Sequence, residues 1–349
     1  MGLYRKAVLC FKRFLMKIVC TVLGIVLAVL VAGTAYLQSR MEQIQYVDPG
    51  AERPLSYQEL EEFLAAETEP VMMDIPTMDP ELVNFGVADT QIGGRNSRII
   101  NILLIGQDRR PGETRARSDS MILCTVNKQT GQLIFTSILR DLYVQIPGYG
   151  DNRLNAAYAA GGMALLNKTL EQNLGIRMDG NVEVDFGQFQ TIVDRLGGVT
   201  LELRRDEAEL LNSTLGGNLE EGPQRLTGEQ ALQYSRIRSL DADGDFSRTD
   251  RQRKVLEAIV DACKGANLKT LLTLVDDILP MITTDMTHFQ ILSCAVEVFP
   301  LLPKLEITSQ RIPADGTYSG KQIRGMAVLV ADMDAARELL ENTLLNGNS

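Results

Sequence analysis

Histidine occurs once in the 349 residues, at His288, and cysteine five times. A histidine-based triad or a Cys/His zinc site therefore has almost no material to draw on. Cys10 and Cys20 lie beside or within an apolar N-terminal run. Cys124, Cys263 and Cys294 are odd in number and none stands in a CxxC spacing, so a disulfide framework is excluded. Cys124 falls in an apolar strand pattern and reads as a packing residue. No repeat recurs at a period of roughly 20 to 50 residues, which excludes a solenoid. Basic charge is also scarce. Five of the 35 Lys+Arg precede Ile18, so 30 bases face all 45 acids in the rest of the chain. Such an acidic surface is a poor partner for nucleic acid, whose binding depends on phosphate neutralisation, and no helix-turn-helix pattern is present.

What is present begins at the N-terminus. Arg5, Lys6, Lys12, Arg13 and Lys17 form a basic segment over 1–17, followed from Ile18 to Leu37 by an uncharged apolar run. About 20 residues of helix span a bilayer core, and the basic flank stays cytoplasmic. The reading is an uncleaved, single-pass transmembrane anchor over 18–37, with the rest of the chain outside the cell. The run exceeds the length of a signal-peptide core, and no clean cleavage site follows it.

Beyond the anchor, hydrophobic content of 45% and charged content of 23% suit a folded domain. Residues 38–96 read as an extracellular stalk with one amphipathic stretch, SYQELEEFLAAE, and a spacing role. From 97 the pattern changes. IINILLIG, SMILCTVNK and QLIFTSILRD read as three strands, the last two joined by the turn NKQTG. Asn155 to Leu174 reads as one helix. VEVDFGQFQTIVDRLGGVTLEL reads as strand, helix, turn, strand, and 206–225 as a loop. LTGEQALQYSRIR opens with helix-capping chemistry, and TDRQRKVLEAIVDAC is a helix. PKLEITSQRIP is a strand and DMDAARELLENTLL a closing helix. These elements predict an α/β fold, an α/β/α layered domain with a central mixed sheet, preceded by the membrane helix. The core occupies 97–263, and 264–349 complete the domain.

Charged side chains gather where these strands end. If the first strand pairs antiparallel with the second across the loop 107–118, one rim of the sheet carries Asp108, Arg117, Asp119, Arg140 and Asp141. Open α/β sheets tend to place ligands at such a rim. Arg236 and Arg238 follow at i and i+2, and GDFSRTDRQ adds Asp245, Arg248, Arg251 and Gln252. On a helix Arg248, Arg251 and Gln252 share a face that continues with Val255 and Ile259. That face suits a ligand with a charged head and a greasy tail. Any one pair alone reads as a salt bridge or a solvated surface. The number of guanidiniums points instead to a phosphate anion, and Asp108 and Asp119 among them suggest a hard cation bridging phosphates.

Together NILLIGQDRR, RARSDSMILCTVNKQTGQLIFTSILRDLYVQIPG, LNAAYAAGG, VDRLGGVTLEL, LTGEQALQYSRIR and GDFSRTDRQR, in this order over about 96–263, resemble the LytR-CpsA-Psr family of cell-wall glycopolymer transferases. RIPADGTYSGKQIRGMAVLV resembles the tail of clostridial-type members. The resemblance implies a polyprenyl-pyrophosphate-linked glycan donor with its lipid in an apolar tunnel, and Mg2+ on the pyrophosphate. It implies peptidoglycan, through the muramic acid 6-hydroxyl, as acceptor. Arg117, Arg140, Arg236, Arg238 and Arg248 match pyrophosphate-binding arginines, with Asp245 and Gln252 in support. Asp108 and Asp119 match acidic, metal-associated residues. Asp119, Arg140 and Arg117 are the expected catalytic residues, with Asp119 first candidate for general base and Asp108 for metal ligand, roles that could be exchanged. Leu139 and Ser120 depart from the family's usual Pro and Thr, and neither change removes a charge. The expected reaction is phosphoryl transfer without a covalent protein intermediate. Hydrolysis of the same pyrophosphate lipid and a non-catalytic wall-polymer sensor are the alternatives.

Overall fold

The structure, a computed structural model, describes residues 39 and 42–345 apart from 49, 51–52, 66–74, 95–97, 108–117, 242–243, 267–272 and 274–275, and not the side chains of Ala65 and Asp119. The chain divides into two units, Met1–Ile44 and Gln45–Ser349. Nearly all of the first, including the apolar run 18–37, lies outside the described residues. Among the described residues no helix is long and apolar enough to cross a membrane.

The second unit runs β1 (Gln45–Tyr46), α1 (Tyr57–Ala65), β2 (Ile99–Gln107), β3 (Ser118–Asn127), β4 (Gln132–Ile138), the hairpin β5 (Tyr143–Ile146) and β6 (Gly150–Arg153), α2 (Leu154–Leu174), β7 (Gly180–Asp185) and α3 (Phe186–Arg195). It continues through β8 (Val199–Leu203), α4 (Arg205–Leu215), β9 (Gly222–Leu226), α5 (Gly228–Ser235), α6 (Asp245–Lys264), β10 (Thr283–Thr284), α7 (His288–Val298), β11 (Glu306–Ile312), the hairpin β12 (Tyr318–Ile323) and β13 (Met326–Ala331), and α8 (Met333–Leu340). Seven strands form the central sheet in the order β1-β10-β7-β2-β3-β4-β11. The three strands read from the sequence pair antiparallel in series, β2 with β3 and β3 with β4. β7 and β11 add in parallel to β2 and β4. The sheet is therefore mixed, as expected.

Period-two alternation sends the strand side chains to opposite faces. Ile99, Leu103, Ile105, Met121, Leu123 and Ile134 pack with Leu166, Leu170 and Leu174 of α2 and with Ala336 and Leu340 of α8. Ile100, Ile122, Val126 and Phe135 pack on the other face with Leu256 and Val260 of α6 and Cys294 and Val298 of α7. Each such side chain contributes about 1.5–3 kcal/mol when fully buried, and two-sided burial explains why β2 and β4 read as near-continuous apolar runs. Cys124 joins the second cluster, as its strand pattern predicts.

Three expectations are corrected. Part of the segment read as a spacer is built into the domain. Leu60 of α1 buries against Ala159 and Ala160, Leu55 N–H donates to Ala160 O at 2.8 Å, and buried Ile92 bridges to Ile176. Asn101 Nδ2 donates to Ile92 O and Arg177 O, both at 3.1 Å. The helix 155–174 is broken at Gly161 and Gly162, where φ is −146° and +59°; glycine supplies the second of these without strain. The loop 206–225 contains α4 and β9. Glu207 Oε2 accepts from Arg204 N–H at 3.0 Å, capping α4, while Ala208 and Leu211 join a separate cluster with β8, β9, α5 and α6. Few apolar residues mark α4 in sequence, because its partners are supplied by the β8–β9 hairpin.

Candidate functional site

The end of β2 and the start of β3 meet at one rim. Gly106 pairs with Ser120 and Gln107 with Ser118, with a register shift between them. Gln107 also pairs with Asp185, the last residue of β7, and β4 and β11 end side by side at Ile138 and Ile312. A Cβ on Gly106 would stand 3.1 Å from Ser120 Cβ, so the glycine permits this close approach. Asp108 directly follows β2, and Asp119 lies in β3 at the shift. Asp108, Arg117 and the side chain of Asp119 lie outside the described residues; the backbone of Asp119 stands at the rim.

Arginines from three segments converge on one carboxylate there. Asp245, the first residue of α6, has Arg248 Nη2 at 3.0 Å, Arg238 Nε at 3.3 Å and Arg140 Nε at 3.7 Å. Arg140 is also 3.5 Å from Asp141, which Arg153 holds at 3.0 Å. Arg140 and Arg248 are only 8% and 5% exposed, and burying a guanidinium costs several kcal/mol unless anions answer it. Among the described residues four arginines, Arg140, Arg153, Arg238 and Arg248, share the two carboxylates Asp141 and Asp245, a local positive excess. Arg238 and Asp245 are part-exposed, so that excess is reachable from solvent. Phe246, next to Asp245, stacks on Tyr318 at 5.0 Å and lies under the Arg311 guanidinium at 4.6 Å. The C-terminal strands thus anchor the first turn of α6, a relation that no spacing in the sequence signals.

The remaining candidates separate. Gln252 Oε1 accepts from Ser120 Oγ at 3.0 Å, which places it over the start of β3. Arg236 is exposed and stacks 4.9 Å over Phe186, the residue after Asp185, at the β7 side of the rim. Arg251 leaves the expected polar face: its Nε donates to Glu207 Oε1 at 2.9 Å, and it also bonds Asp241. Val255 and Ile259 follow it into the β8–β9 cluster. The apolar continuation on the sheet side is Leu256 and Val260 instead. With 3.6 residues per turn, one-residue differences in position select different neighbours once α6 is packed on both sides.

Sequence reasoning missed Asn155 and Ser118. Asn155 is fully buried beside Arg140, whose carbonyl accepts its N–H at 3.1 Å. Among the described residues neither Asn155 Oδ1 nor Nδ2 has a hydrogen-bond partner, and the buried Ser118 Oγ has none either. Buried polar atoms are normally satisfied, so these orphans fit a polar ligand or its water. Their only signal in sequence is polarity inside LNAAYAAGG and RSD. Beneath the rim, Tyr158 of the same motif donates to Glu183 Oε2 at 2.5 Å and accepts from Gln107. Among the described residues no three acidic, Cys or His side chains cluster as a metal site. Carboxylate, amide and hydroxyl oxygens, the donor types that Asp108, Asp119, Asn155 and Ser118 carry, are of the kind a magnesium ion accepts.

A family model for the LytR_cpsA_psr family matches residues 67–344. The chain is 39% identical over 168 residues to the polyisoprenyl-teichoic acid--peptidoglycan teichoic acid transferase TagU of Oceanobacillus iheyensis, covering 46% of this chain and 51% of that protein. It is 36% identical over 167 residues to the regulatory protein MsrR of Staphylococcus aureus, covering 47% and 49%. The chain spans about half the length of these curated relatives. Its fold is similar to that of the LytR-CPS2A-psr family protein YwtF (TagT) with bound octaprenyl pyrophosphate lipid, with a TM-score of 0.54, 29% identity and coverage of 70% of this chain and 90% of that one. The ordered motifs, the sheet and the matched span agree: the chain belongs to the LytR_cpsA_psr family.

Proposed function

We propose that this chain transfers a phosphate-linked glycopolymer from a polyprenyl-pyrophosphate carrier to peptidoglycan outside the cell. The observation that carries the reading is the convergence of Arg140, Arg238 and Arg248 on Asp245 at the sheet rim. A pyrophosphate is an anion that can answer this excess, and guanidiniums match its oxygens bidentately. Relatives bearing the teichoic acid transferase name, and one solved with a polyprenyl pyrophosphate, support the same chemistry. The run Ile18–Leu37 anchors the chain, with the catalytic unit facing the wall.

In the reaction the acceptor hydroxyl attacks the sugar-proximal phosphorus. A new P–O bond forms, the bond to the bridging oxygen breaks, and lipid phosphate leaves. Asp119 receives the hydroxyl proton. Arg140, Arg248 and Arg238 hold the phosphate oxygens and stabilise the charge that develops on the leaving group. Asp108 and Asp119 would hold a magnesium ion, which supplies further charge neutralisation when bound.

The test uses the full-length chain in membranes, lipid-linked glycan and peptidoglycan, with glycan bound to the wall as the readout. Arg140→Ala is expected to lower the rate by roughly 100-fold or more, as does loss of a transition-state donor elsewhere. Near-normal turnover of that variant removes Arg140 from the site. Glycan released in equal amounts with and without peptidoglycan marks a hydrolase.

A further inference from the structure

Arg251 stands three residues after Arg248 on α6 but is bonded to different partners. It is 3% exposed, and its three nitrogens bind three different segments. Nε donates to Glu207 Oε1 on α4 at 2.9 Å, Nη1 to the Ile237 carbonyl at 3.2 Å, and Nη2 to Asp241. Glu207 is 2% exposed and is tied to Arg204 N–H through its other oxygen. Arg204 Nη1 closes the circuit on Asp241 at 2.9 Å.

The anchored groups belong to the segment that carries the site. Ile237 lies between Arg236 and Arg238, and Asp241 lies on the connection from α5 to Asp245. Arg238 is 44% exposed and meets Asp245 at 3.3 Å, so little packing of its own fixes it. The Arg251 guanidinium stands 6.0 Å over the ring of Tyr234, which belongs to an apolar cluster with Val255, Leu203 and Leu211. A buried ion pair in such a place is a weak source of stability compared with well-packed apolar side chains. Its value here is geometric: a planar fork fixes three directions at once, which a lysine ammonium cannot do.

We propose that Arg251, through Glu207, Asp241 and the Ile237 carbonyl, is a positioning residue that holds Arg238 and Asp245 in register with Arg140 and Arg248. Arg251 itself does not touch the phosphate. The inference rests on the pyrophosphate reading above and adds a residue to it that acts through the α5–α6 connection.

The test measures binding of inorganic pyrophosphate with magnesium to the full-length chain in detergent, by calorimetry, together with thermal melting. Wild type binds, and Arg140→Ala loses binding. Arg251→Met, made together with Glu207→Gln so that no buried carboxylate is left without its ion pair, is expected to melt close to wild type and to bind at least tenfold more weakly. Arg251→Lys restores the charge but not the fork, and binds between the two. Glu207→Gln alone, a milder change, weakens binding severalfold and decides the matter if the double variant does not fold. The diagnostic result is affinity in the order Arg, Lys, Met with melting temperatures that do not follow it. Wild-type affinity in the folded double variant, or in folded Glu207→Gln where the double variant does not fold, overturns the positioning role and leaves the pyrophosphate site standing. No binding by wild type overturns the site and the positioning role with it.

Discussion

Arg140 and Asp245 lie 3.7 Å apart, Nε to Oδ2, although one follows β4, the neighbour of the edge strand β11, and the other opens a helix after the β8–β9 module. Asp245 is the acid that Arg140, Arg238 and Arg248 share. Its removal takes from the three guanidiniums the carboxylate they share, while Arg140 keeps Asp141. Asp245→Ala is therefore expected to cost about 2 kcal/mol, the scale of a lost charge-assisted hydrogen bond. Added pyrophosphate should raise its melting temperature more than that of wild type, since the ligand replaces the lost anion. Equal shifts in the two proteins would falsify the claim that this acid stands where ligand charge is wanted.

Acid should loosen the α5–α6 connection before neutral pH affects it. Hydrogen bonds from Arg204, and then Arg251, hold the Asp241 carboxyl below its ordinary value of 3.8. A depressed folded value means that its contribution is fully present above about pH 3.8 and is lost as pH falls through the lower folded value. Asp241→Asn should remove that part of the acid dependence while leaving the slope between pH 5 and 8 unchanged. Thermal melts of both proteins across pH 2 to 7 measure the difference, and superimposable profiles refute it.

Cys124 should be a poor nucleophile. Burial pushes its thiol up to about 12, so at pH 8 roughly one molecule in 10,000 carries the thiolate that reacts. Mass-spectrometric mapping of iodoacetamide labelling should find Cys124 unmodified in the native protein and labelled after denaturation. Rapid native labelling contradicts its packed position.

Leu60 tests whether α1 belongs to the domain. The residue is 2% exposed, against Ala159 and Ala160, and Leu→Ala at such sites costs about 2–5 kcal/mol. Leu60→Ala should lower the denaturation midpoint accordingly. A freely swinging spacer would show no change.

The legible features were those carried by local periodicity and turn chemistry. Continuous apolar runs gave away β2, β3 and β4 because each is covered on both faces. Thr227 and Gln230 formed the cap that LTGEQ announces. The rim also followed from pattern, since two antiparallel connections return the chain to the same edge. Features that depend on distant partners were hidden. α4 has an apolar side only toward the β8–β9 hairpin, and the segment around Ile92 is held by Asn101, a polar residue in an apolar strand.

The order of residues by itself determined which strands form and which charged residues stand at their ends. Only the tertiary structure decided that Arg248 joins Arg140 at Asp245 while Arg251 closes a buried circuit with Glu207 and Asp241. The physical reason is that α6 is packed on two sides. Along a helix a guanidinium's spacing is local, but its partner is chosen by whichever carboxylate the neighbouring elements bring within hydrogen-bond reach.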